Sequence, residues 1–207
     1  MSRLPRPDQA QLLVATTNPD KLGEIRTVLR GLPWSIESLS HHRDLPEPEE
    51  TGATFAENAR LKALYYANAT GAATVADDSG LAIDALGGRP GVRSARYDGD
   101  TYAERFTNLY RELETTCGSR DSSVRFVCAL ALVWRGQIVF TARGVVEGRV
   151  APVPRGTQGF GYDPIFYYPP LGVTLGELDR DQKTRISHRG QAFRALRAFL
   201  KSWRPTA

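Results

Sequence analysis

The sequence predicts an α/β protein whose sheet is mixed, with both parallel and antiparallel strands. Near the N-terminus, the short apolar run at 12–15 leads directly into a helical pattern, as expected of a βα unit. Two long β-rich runs, 124–134 and 138–150, are separated by only three residues, which predicts an antiparallel hairpin. With 207 residues, 41% of them hydrophobic, the chain has enough apolar material for one compact domain or two lobes.

Each predicted element rests on a local signal. Two capping boxes, Thr54 with Glu57 and Thr101 with Glu104, mark helix starts, because hydroxyl and carboxylate satisfy backbone N–H groups reciprocally. Pro19 suits the first turn of another helix. The predicted elements are, in order, a strand at 12–15, a helix through Leu29, a strand at 34–39, a loop at 41–52, a helix from Thr54 to about Asn68, a strand at 72–76, a turn at 77–80, a loop at 87–91, a helix from Thr101, the two hairpin strands, a loop at 152–164, an apolar segment at 165–168 and a helix from about Ser187.

The composition argues against several classes of protein. No apolar run approaches the roughly 20 residues that span a bilayer, and residues 1–11 lack the apolar core of a signal peptide. We therefore expect a cytoplasmic protein with no membrane partner. The two cysteines, Cys117 and Cys128, indicate neither a disulfide framework nor a zinc site. The formal net charge of +4 comes from dispersed basic residues, and no nucleic-acid-binding motif is present, so no nucleic-acid partner is expected.

The segment at 16–21 joins a strand to a helix and is rich in groups that bind phosphate. It supplies two hydroxyls, an amide and an ammonium at a helix N-terminus, where free N–H groups and the helix dipole favour anions. The Gly-rich pattern of a P-loop is absent. The segment is therefore a candidate phosphate-binding turn, with helix capping by Thr17 and Asn18 as the alternative.

Asp77 and Asp78 directly follow a predicted buried strand, where open α/β sheets place their ligands. Because successive strand residues point to opposite faces, we expect only one of the pair to face a ligand directly. A Mg²⁺ ion bound to phosphates takes one or two protein carboxylates as ligands and water in its other positions. The two aspartates are therefore candidate metal ligands, and an Asx turn is the alternative explanation for them. Candidates for a second metal carboxylate are Glu47, Glu49, Glu50 and Glu57.

Two later segments carry groups suited to a nucleotide. At 159–164, two glycines flank Phe160, whose ring can lie against a base, and Asp163 offers an acceptor at the edge of that base. Stacking on an aromatic ring contributes about 1–3 kcal/mol but discriminates poorly between bases. The alternative interpretation of this segment is a β-turn whose Phe belongs to the core. Farther on, Lys183 precedes Ser187-His188-Arg189, which is predicted to begin a helix. The N-terminus of this helix, with its fixed side-chain donors, can bind an anion. The alternative is a capped helix on the protein surface.

Together, these segments resemble the inosine triphosphate pyrophosphatase family, the dITP/XTP pyrophosphatases. They stand in the family's order and cover the chain after its first ten residues, which predicts an extension at 1–10 and a single domain at 11–207. The resemblance implies a three-layer α/β/α fold with an elongated mixed sheet, two lobes around a central substrate cleft, a homodimer, and Mg²⁺ dependence. Mn²⁺ is a possible replacement. The matching segments are 16–21, Glu50-Thr51-Gly52 with 54–58, 76–81, Leu86 to Gly91, Ser94 to Tyr97, 159–166 and Ser187-His188-Arg189.

By position, the resemblance also implies a role for each site residue. Asp78 is the metal ligand and proton acceptor, with Asp77 as its supporting neighbour. Glu50 is the second metal ligand, with Glu47 and Glu49 left open. Substrate contacts are implied for Thr16, Thr17, Asn18, Pro19, Asp20, Lys21, Ser79, Phe160, Gly161, Tyr162, Asp163, Lys183, His188 and Arg189.

The implied activity is hydrolysis of ITP, dITP and XTP to the nucleoside monophosphate and pyrophosphate, which excludes these nucleotides from DNA and RNA. Asp78 is expected to deprotonate a metal-associated water, while Lys21 and Lys183 offset charge on the phosphates. Donors from His188 and Arg189 favour the 6-carbonyl of inosine and xanthosine over the 6-amino group of adenosine. The rejection of guanosine is left open. Rival interpretations are a nucleotide sensor without turnover, a pyrophosphatase for modified pyrimidine nucleotides and a nucleic-acid binder.

Overall fold

The computed structural model describes residues 10–205, which form seven β-strands and five α-helices. The strands are β1 (Ala10–Val14), β2 (Trp34–Ser38), β3 (Ala73–Ile83), β4 (Ser123–Trp134), β5 (Gln137–Val150), β6 (Phe166–Tyr168) and β7 (Val173–Thr174). The helices are α1 (Pro19–Leu29), α2 (Phe55–Thr70), α3 (Tyr102–Cys117), α4 (Arg180–Ile186) and α5 (His188–Ser202). The predicted N-terminal extension lies outside the described residues apart from Ala10, the first residue of β1.

The strands form one open mixed sheet in the order β2-β1-β3-β4-β5-β6-β7. β1 is parallel to both β2 and β3, whereas β6 is antiparallel to both β5 and β7. β4 and β5 are joined by Arg135 and Gly136, whose φ values of 51° and 73° suit the two-residue turn of an antiparallel hairpin. The predicted α/β fold with a mixed sheet is therefore confirmed.

The chain divides into two compact units, and each contains an apolar cluster of its own. In the first unit, β1, α2 and β4 contribute residues such as Leu13, Ala63 and Val133. In the second, Leu109 of α3 and Phe166 of β6 belong to a larger cluster. The predicted single domain and its cleft stay predictions. Within the described residues, the first unit comprises 10–78, 129–143 and 192–205, and the second comprises 79–128 and 144–191.

Capping explains where several helices begin. The hydroxyl of Thr54 accepts the N–H of Glu57 at 3.2 Å, and the Glu57 carboxylate accepts the N–H of Thr54 at 3.0 Å. Thr101 and Glu104 form the second predicted capping box, at the start of α3. Helix α4, which the sequence pattern did not indicate, has only seven residues, so hydrophobic periodicity had too little length to reveal it. None of the helices within residues 10–205 combines the length and the apolarity needed to cross a bilayer.

The turn predicted at 77–80 is wrong, because β3 continues without interruption to Ile83. Its pairing with β1 ends at Val75, so the two aspartates lie inside β3 just beyond that point. The glycine at position 80 suggested a turn, but close packing around this position is the reason that a glycine is needed there. A Cβ atom on Gly80 would lie 2.3 Å from Oγ of Ser94 and 2.7 Å from the carbonyl oxygen of Gly91.

Replacing Gly80 with alanine is therefore expected to destabilise the protein by about 1–3 kcal/mol, the usual range for overpacking a filled site. Urea unfolding with wild-type and variant proteins measures this change. The matched control is Gly31→Ala, because no atom lies within 4 Å of a Cβ built there and only its φ of 79° disfavours alanine. If Gly80→Ala is less destabilising than Gly31→Ala, close packing does not explain this glycine.

Candidate functional site

The predicted phosphate-binding turn at 16–21 forms the start of α1. Asn18 is the N-cap of this helix, and its Oδ1 accepts the N–H groups of Asp20 at 2.9 Å and Lys21 at 3.0 Å. Pro19 occupies the first helical turn, as predicted. The hydroxyl of Thr17 does not cap the helix but donates to Oε1 of Glu47 at 2.8 Å. The capping alternative is thus confirmed for Asn18 and wrong for Thr17.

Lys21 is held toward β3 by Asp77. Its Nζ lies 3.4 Å from Oδ2 of Asp77, whose side chain is only 2% exposed, whereas that of Lys21 is 19% exposed. Asp77 was expected to support Asp78, but the ion pair that the structure shows is with Lys21, so its carboxylate anchors the lysine of the phosphate-binding turn. Lys21 keeps enough exposure to meet an anion.

Asp78 lies among polar groups from α2. The side-chain amide of Asn58 donates to Oδ2 of Asp78 at 3.0 Å. The ammonium of Lys62 lies 3.9 Å from Oδ1 of Asp78 and 2.6 Å from Oε1 of Glu50. The structure thus places one ammonium close to both Glu50 and Asp78, although these two residues are far apart in the sequence.

Burial and charge act in opposite directions on these groups. Burial raises the pKa of the Asp78 carboxyl above its ordinary value, although Lys62 and the hydrogen bond from Asn58 partly oppose this shift. For Lys62, burial lowers the pKa, but Asp78, Asp77 and Glu50 together outweigh burial and raise it. Lys62 is therefore a charged neighbour of Asp78, and Asp78 takes up a proton more readily than an exposed aspartate does.

The other acidic candidates have different surroundings. Glu47 accepts the hydroxyl of Thr17, and the carboxylate of Glu57 belongs to the capping box of α2. Glu49 is exposed. Among the four candidates from the sequence, Glu50 is the one held by the same ammonium that lies near Asp78. This geometry favours Glu50 over the alternatives that the sequence left open.

In the second unit, the loop at 159–164 is built around a buried ion pair. Nζ of Lys183 lies 2.5 Å from Oδ2 of Asp163, and both side chains are at least 97% buried. The same Asp163 oxygen accepts the N–H of Phe160 at 2.8 Å. The prediction that Asp163 offers an acceptor at the edge of a base is not supported, because this carboxylate holds Lys183 and the loop instead.

Phe160 is the half-buried aromatic ring of this loop. Nζ of Lys183 lies 4.3 Å from its ring centroid, and the Arg189 guanidinium lies 5.6 Å from it. Tyr162 is buried, and its hydroxyl donates to the carbonyl of Ser94 at 2.9 Å. A Cβ on Gly161 would approach the hydroxyl of Tyr102 at 3.5 Å. The Tyr162 side chain therefore anchors the loop to the core, and the substrate contact implied for this residue stays a prediction.

The segment Ser187-His188-Arg189 is buried, so the surface position in the alternative interpretation is wrong, whereas its helix cap is confirmed. Binding of an anion at this helix start stays a prediction. Ser187 caps α5 by accepting the N–H of Gly190 at 3.0 Å. His188 stacks on Phe126, with ring centroids 4.7 Å apart. The guanidinium of Arg189 donates to the hydroxyl of Ser79 at 2.7 Å. This contact brings together two of the predicted substrate-binding residues.

Asn58 and Lys62 are functional candidates that our interpretation of the sequence did not assign. They are four residues apart on α2, beside its buried positions Ala59 and Ala63. Polar side chains at this spacing, next to an apolar helix face, were the available signal. The signal alone does not show which residues they meet, because their partners lie on other segments of the chain.

Comparisons with known proteins point to one family. A family model described as the Ham1 family matches residues 12–199. The dITP/XTP pyrophosphatase of Exiguobacterium sp. strain AT1b is 47% identical over 190 residues, covering 92% of this chain and 96% of that protein. The dITP/XTP pyrophosphatase of Gloeobacter violaceus is 48% identical over 185 residues, covering 89% of this chain and 91% of that protein.

Solved structures show the same fold. The HAM1 protein from Coxiella burnetii is 42% identical, with a TM-score of 0.87, and the match covers 94% of this chain and 100% of that one. The Ham1 protein of Staphylococcus aureus is 35% identical, with a TM-score of 0.81, and the match covers 92% of this chain and 98% of that one. The family resemblance seen in the sequence is confirmed, and this chain belongs to the Ham1 family.

Proposed function

We propose that this protein hydrolyses ITP, dITP and XTP to the nucleoside monophosphate and pyrophosphate. The observation that carries the proposal is the cluster in the first unit, where Lys21 and Lys62 lie against Asp77, Asp78 and Glu50. The ammonium groups suit phosphate oxygens, and the carboxylates suit the divalent cation that accompanies a nucleoside triphosphate. The names of the relatives, dITP/XTP pyrophosphatase, support the same reaction.

The residues that would hold the metal are Glu50 and Asp78. Their carboxylates fit a divalent cation, because both already lie close to the single positive charge of Lys62. No group of three or more His, Cys, Asp or Glu side chains suited to a metal occurs within residues 10–205, and Mg²⁺ on phosphates needs only one or two carboxylates. When bound, Mg²⁺ supplies positive charge that stabilises the phosphate oxygens, and Mn²⁺ can replace it.

Asp78 is the proposed proton acceptor. A carboxylate is a more effective base when its pKa is raised toward the working pH, and burial shifts the pKa of Asp78 in that direction. Its Oδ2 accepts the side-chain amide of Asn58, which orients the carboxylate that we assign to the attacking water. That water transfers a proton to the Asp78 carboxylate while the oxygen of the water forms a bond to phosphorus.

Two lysines carry the proposed charge stabilisation. Cleavage between the α- and β-phosphates increases the negative charge on the departing pyrophosphate. Lys21 is anchored by Asp77 at the start of α1, next to the hydroxyls of Thr16 and Thr17, and we assign these groups to the phosphates. Lys183 is assigned a substrate contact as well, with its ammonium positioned by Asp163.

The base is assigned to residues of the second unit. The ring of Phe160 offers a flat apolar surface for stacking, and Arg189 and His188 supply donors for the 6-carbonyl of hypoxanthine or xanthine. An adenine at this position would bring its 6-amino donor against a protein donor, which costs about 1–3 kcal/mol per unsatisfied group. This mismatch is the proposed reason for selectivity against ATP.

Replacing Phe160 with alanine is expected to raise KM for ITP about 5- to 150-fold, which corresponds to the roughly 1–3 kcal/mol of a base stack. We expect kcat to change less, because the ring is not assigned a role in bond cleavage. Steady-state pyrophosphate release measures both constants. Phe160→Tyr keeps the aromatic face and is the matched control. A KM in Phe160→Ala equal to that of the wild type rules out stacking on this ring.

We also propose a homodimer that acts in the cytoplasm on the free nucleotide pool, without a nucleic-acid partner. The homodimer is what the family resemblance implies. Action on the free nucleotide pool follows from the reaction, since these substrates are precursors that polymerases would otherwise incorporate. Light scattering on purified protein measures the mass in solution, for which a dimer is twice the 22.8 kDa of one chain.

The deciding experiment is release of pyrophosphate and monophosphate from purified protein with Mg²⁺. Selective turnover of ITP, dITP and XTP over ATP and GTP supports the proposed function. Binding of these nucleotides without turnover indicates a sensor, and preference for modified pyrimidine triphosphates indicates the related pyrophosphatase. If the protein neither binds nor hydrolyses any of them, the proposed function is wrong.

A further inference from the structure

Asn58 is a fully buried amide that contacts two segments of the first unit. Its Nδ2 donates to Oδ2 of Asp78 at 3.0 Å, and its Oδ1 accepts the N–H of Gly52 at 2.8 Å. The orientation of the amide is determined chemically, because a backbone N–H can only donate and must face the oxygen. Gly52 is two residues beyond Glu50 in the sequence. One side chain thus contacts both segments that carry the proposed metal ligands.

The acidic loop, which the sequence predicts at 41–52, packs closely against this amide. A Cβ atom on Gly52 would lie 2.6 Å from Oδ1 of Asn58 and 2.7 Å from Cβ of Glu57. Any larger residue at this position would force the loop away from α2. The glycine and the amide therefore act together to hold the end of the acidic loop in place.

Asn58 and Lys62 lie on the same face of α2 and contribute different kinds of interaction. Lys62, one helical turn later, contributes positive charge near both Glu50 and Asp78. Asn58 contributes directional hydrogen bonds, which restrict rotation of the Asp78 carboxylate and fix the loop beside Glu50. Hydrogen bonds of this kind to ligating carboxylates orient them for the metal.

We infer that Asn58 is a positioning residue, which holds Glu50 and Asp78 in the relative placement that a divalent cation requires. The inference rests on the proposed function for the choice of these two ligands. Neither the capping box of α2 nor the charge of Lys62 can replace Asn58 in this role, because neither bonds to both the loop backbone and Asp78.

The test is Asn58→Ala, with Mn²⁺ binding measured by calorimetry on the full chain without nucleotide. Loss of a group that orients a ligand lowers metal affinity about 10- to 100-fold, and we expect a weakening in this range. The Mg²⁺ concentration for half-maximal ITP hydrolysis is expected to rise in parallel, with little change in KM for ITP at saturating Mg²⁺. Asn68→Ala is the matched control, because Asn68 is exposed on the same helix.

A second variant keeps the test valid if Asn58→Ala does not fold. Gly52→Ala retains the amide but displaces the loop, so it is expected to weaken Mn²⁺ binding in the same direction. Mn²⁺ affinity equal to that of the wild type in either folded variant overturns the inference, even if the melting temperature falls. If Mn²⁺ affinity falls as expected but the wild type does not hydrolyse ITP, the inference stands and the proposed function fails.

Discussion

Asp78→Asn is expected to lower turnover of ITP about 10²- to 10⁴-fold, the range for loss of a general base. Asparagine has nearly the same size and keeps an oxygen that can accept the hydrogen bond from Asn58. It cannot accept a proton from water, and it carries no charge to hold a divalent cation. Pyrophosphate release at saturating Mg²⁺ measures the loss, and circular dichroism establishes that the variant is folded.

The same substitution is expected to leave the melting temperature at neutral pH unchanged or raised. Burial raises the pKa of Asp78 in the folded state. A group with a raised folded-state pKa stabilises the protein when protonated, and this stabilisation is lost as the pH rises through that pKa. Asparagine carries no charge at any pH. The stability of the variant relative to the wild type should therefore increase from about pH 4, near the ordinary pKa of an aspartate, toward neutrality.

A matched control separates the expected changes in turnover and stability from the effect of removing a negative charge elsewhere on the protein. Asp44 is an exposed residue of the acidic loop, so Asp44→Asn is expected to retain wild-type turnover and stability. Near wild-type turnover in folded Asp78→Asn would show that Asp78 is not the base. A melting temperature that falls at neutral pH would show that the carboxylate stabilises the fold despite its burial.

Lys62→Met is expected to lower kcat/KM about 10²-fold, similar to the loss of one preorganised electrostatic group from an active site. Methionine preserves much of the side-chain volume but leaves Glu50 and Asp78 without the neighbouring positive charge. Because Lys62 lowers the pKa of Asp78, its removal raises that pKa further. The base must be deprotonated to act, so the acid limb of the pH–rate profile should move to higher pH.

The pH–rate profiles of wild type, Lys62→Met and Lys62→Arg test this prediction. Arginine keeps the charge, so its acid limb should remain closer to that of the wild type even if its different shape lowers the rate. Lys201→Met removes an exposed lysine of α5 and is expected to change neither rate nor profile. An acid limb that does not move in Lys62→Met would contradict the assigned coupling between Lys62 and Asp78.

Local signals in the sequence predicted much of the fold correctly. The capping boxes at Thr54 and Thr101 and the hairpin turn at Arg135 depend on hydrogen bonds and backbone angles within a few residues. Such features can be predicted because their physical causes lie within one short segment. The short elements α4 and β7 escaped prediction, since neither is long enough for a periodic pattern.

The candidate site was predictable in its residue types but less so in its contacts. Lys21 and Asp78 stood out because ammonium and carboxylate groups followed apolar strands. The predicted acceptor role of Asp163 did not agree with the structure, because Lys183, twenty residues away, engages its carboxylate. Asn58 and Lys62 were not assigned roles, because a helix pattern gives the spacing of polar groups but not the partners they meet.

The α/β class, the positions of most strands and helices, and the segments that identify the Ham1 family could all be inferred before the structure was known. The packed structure was needed to show that Asp77 and Asp78 lie inside a strand, that Gly80 is required by the approach of Ser94, and that one ammonium lies near both Glu50 and Asp78. The difference lies in the range of the interactions. Caps, turns and periodicity act between near neighbours in the chain, whereas these contacts depend on how distant segments pack.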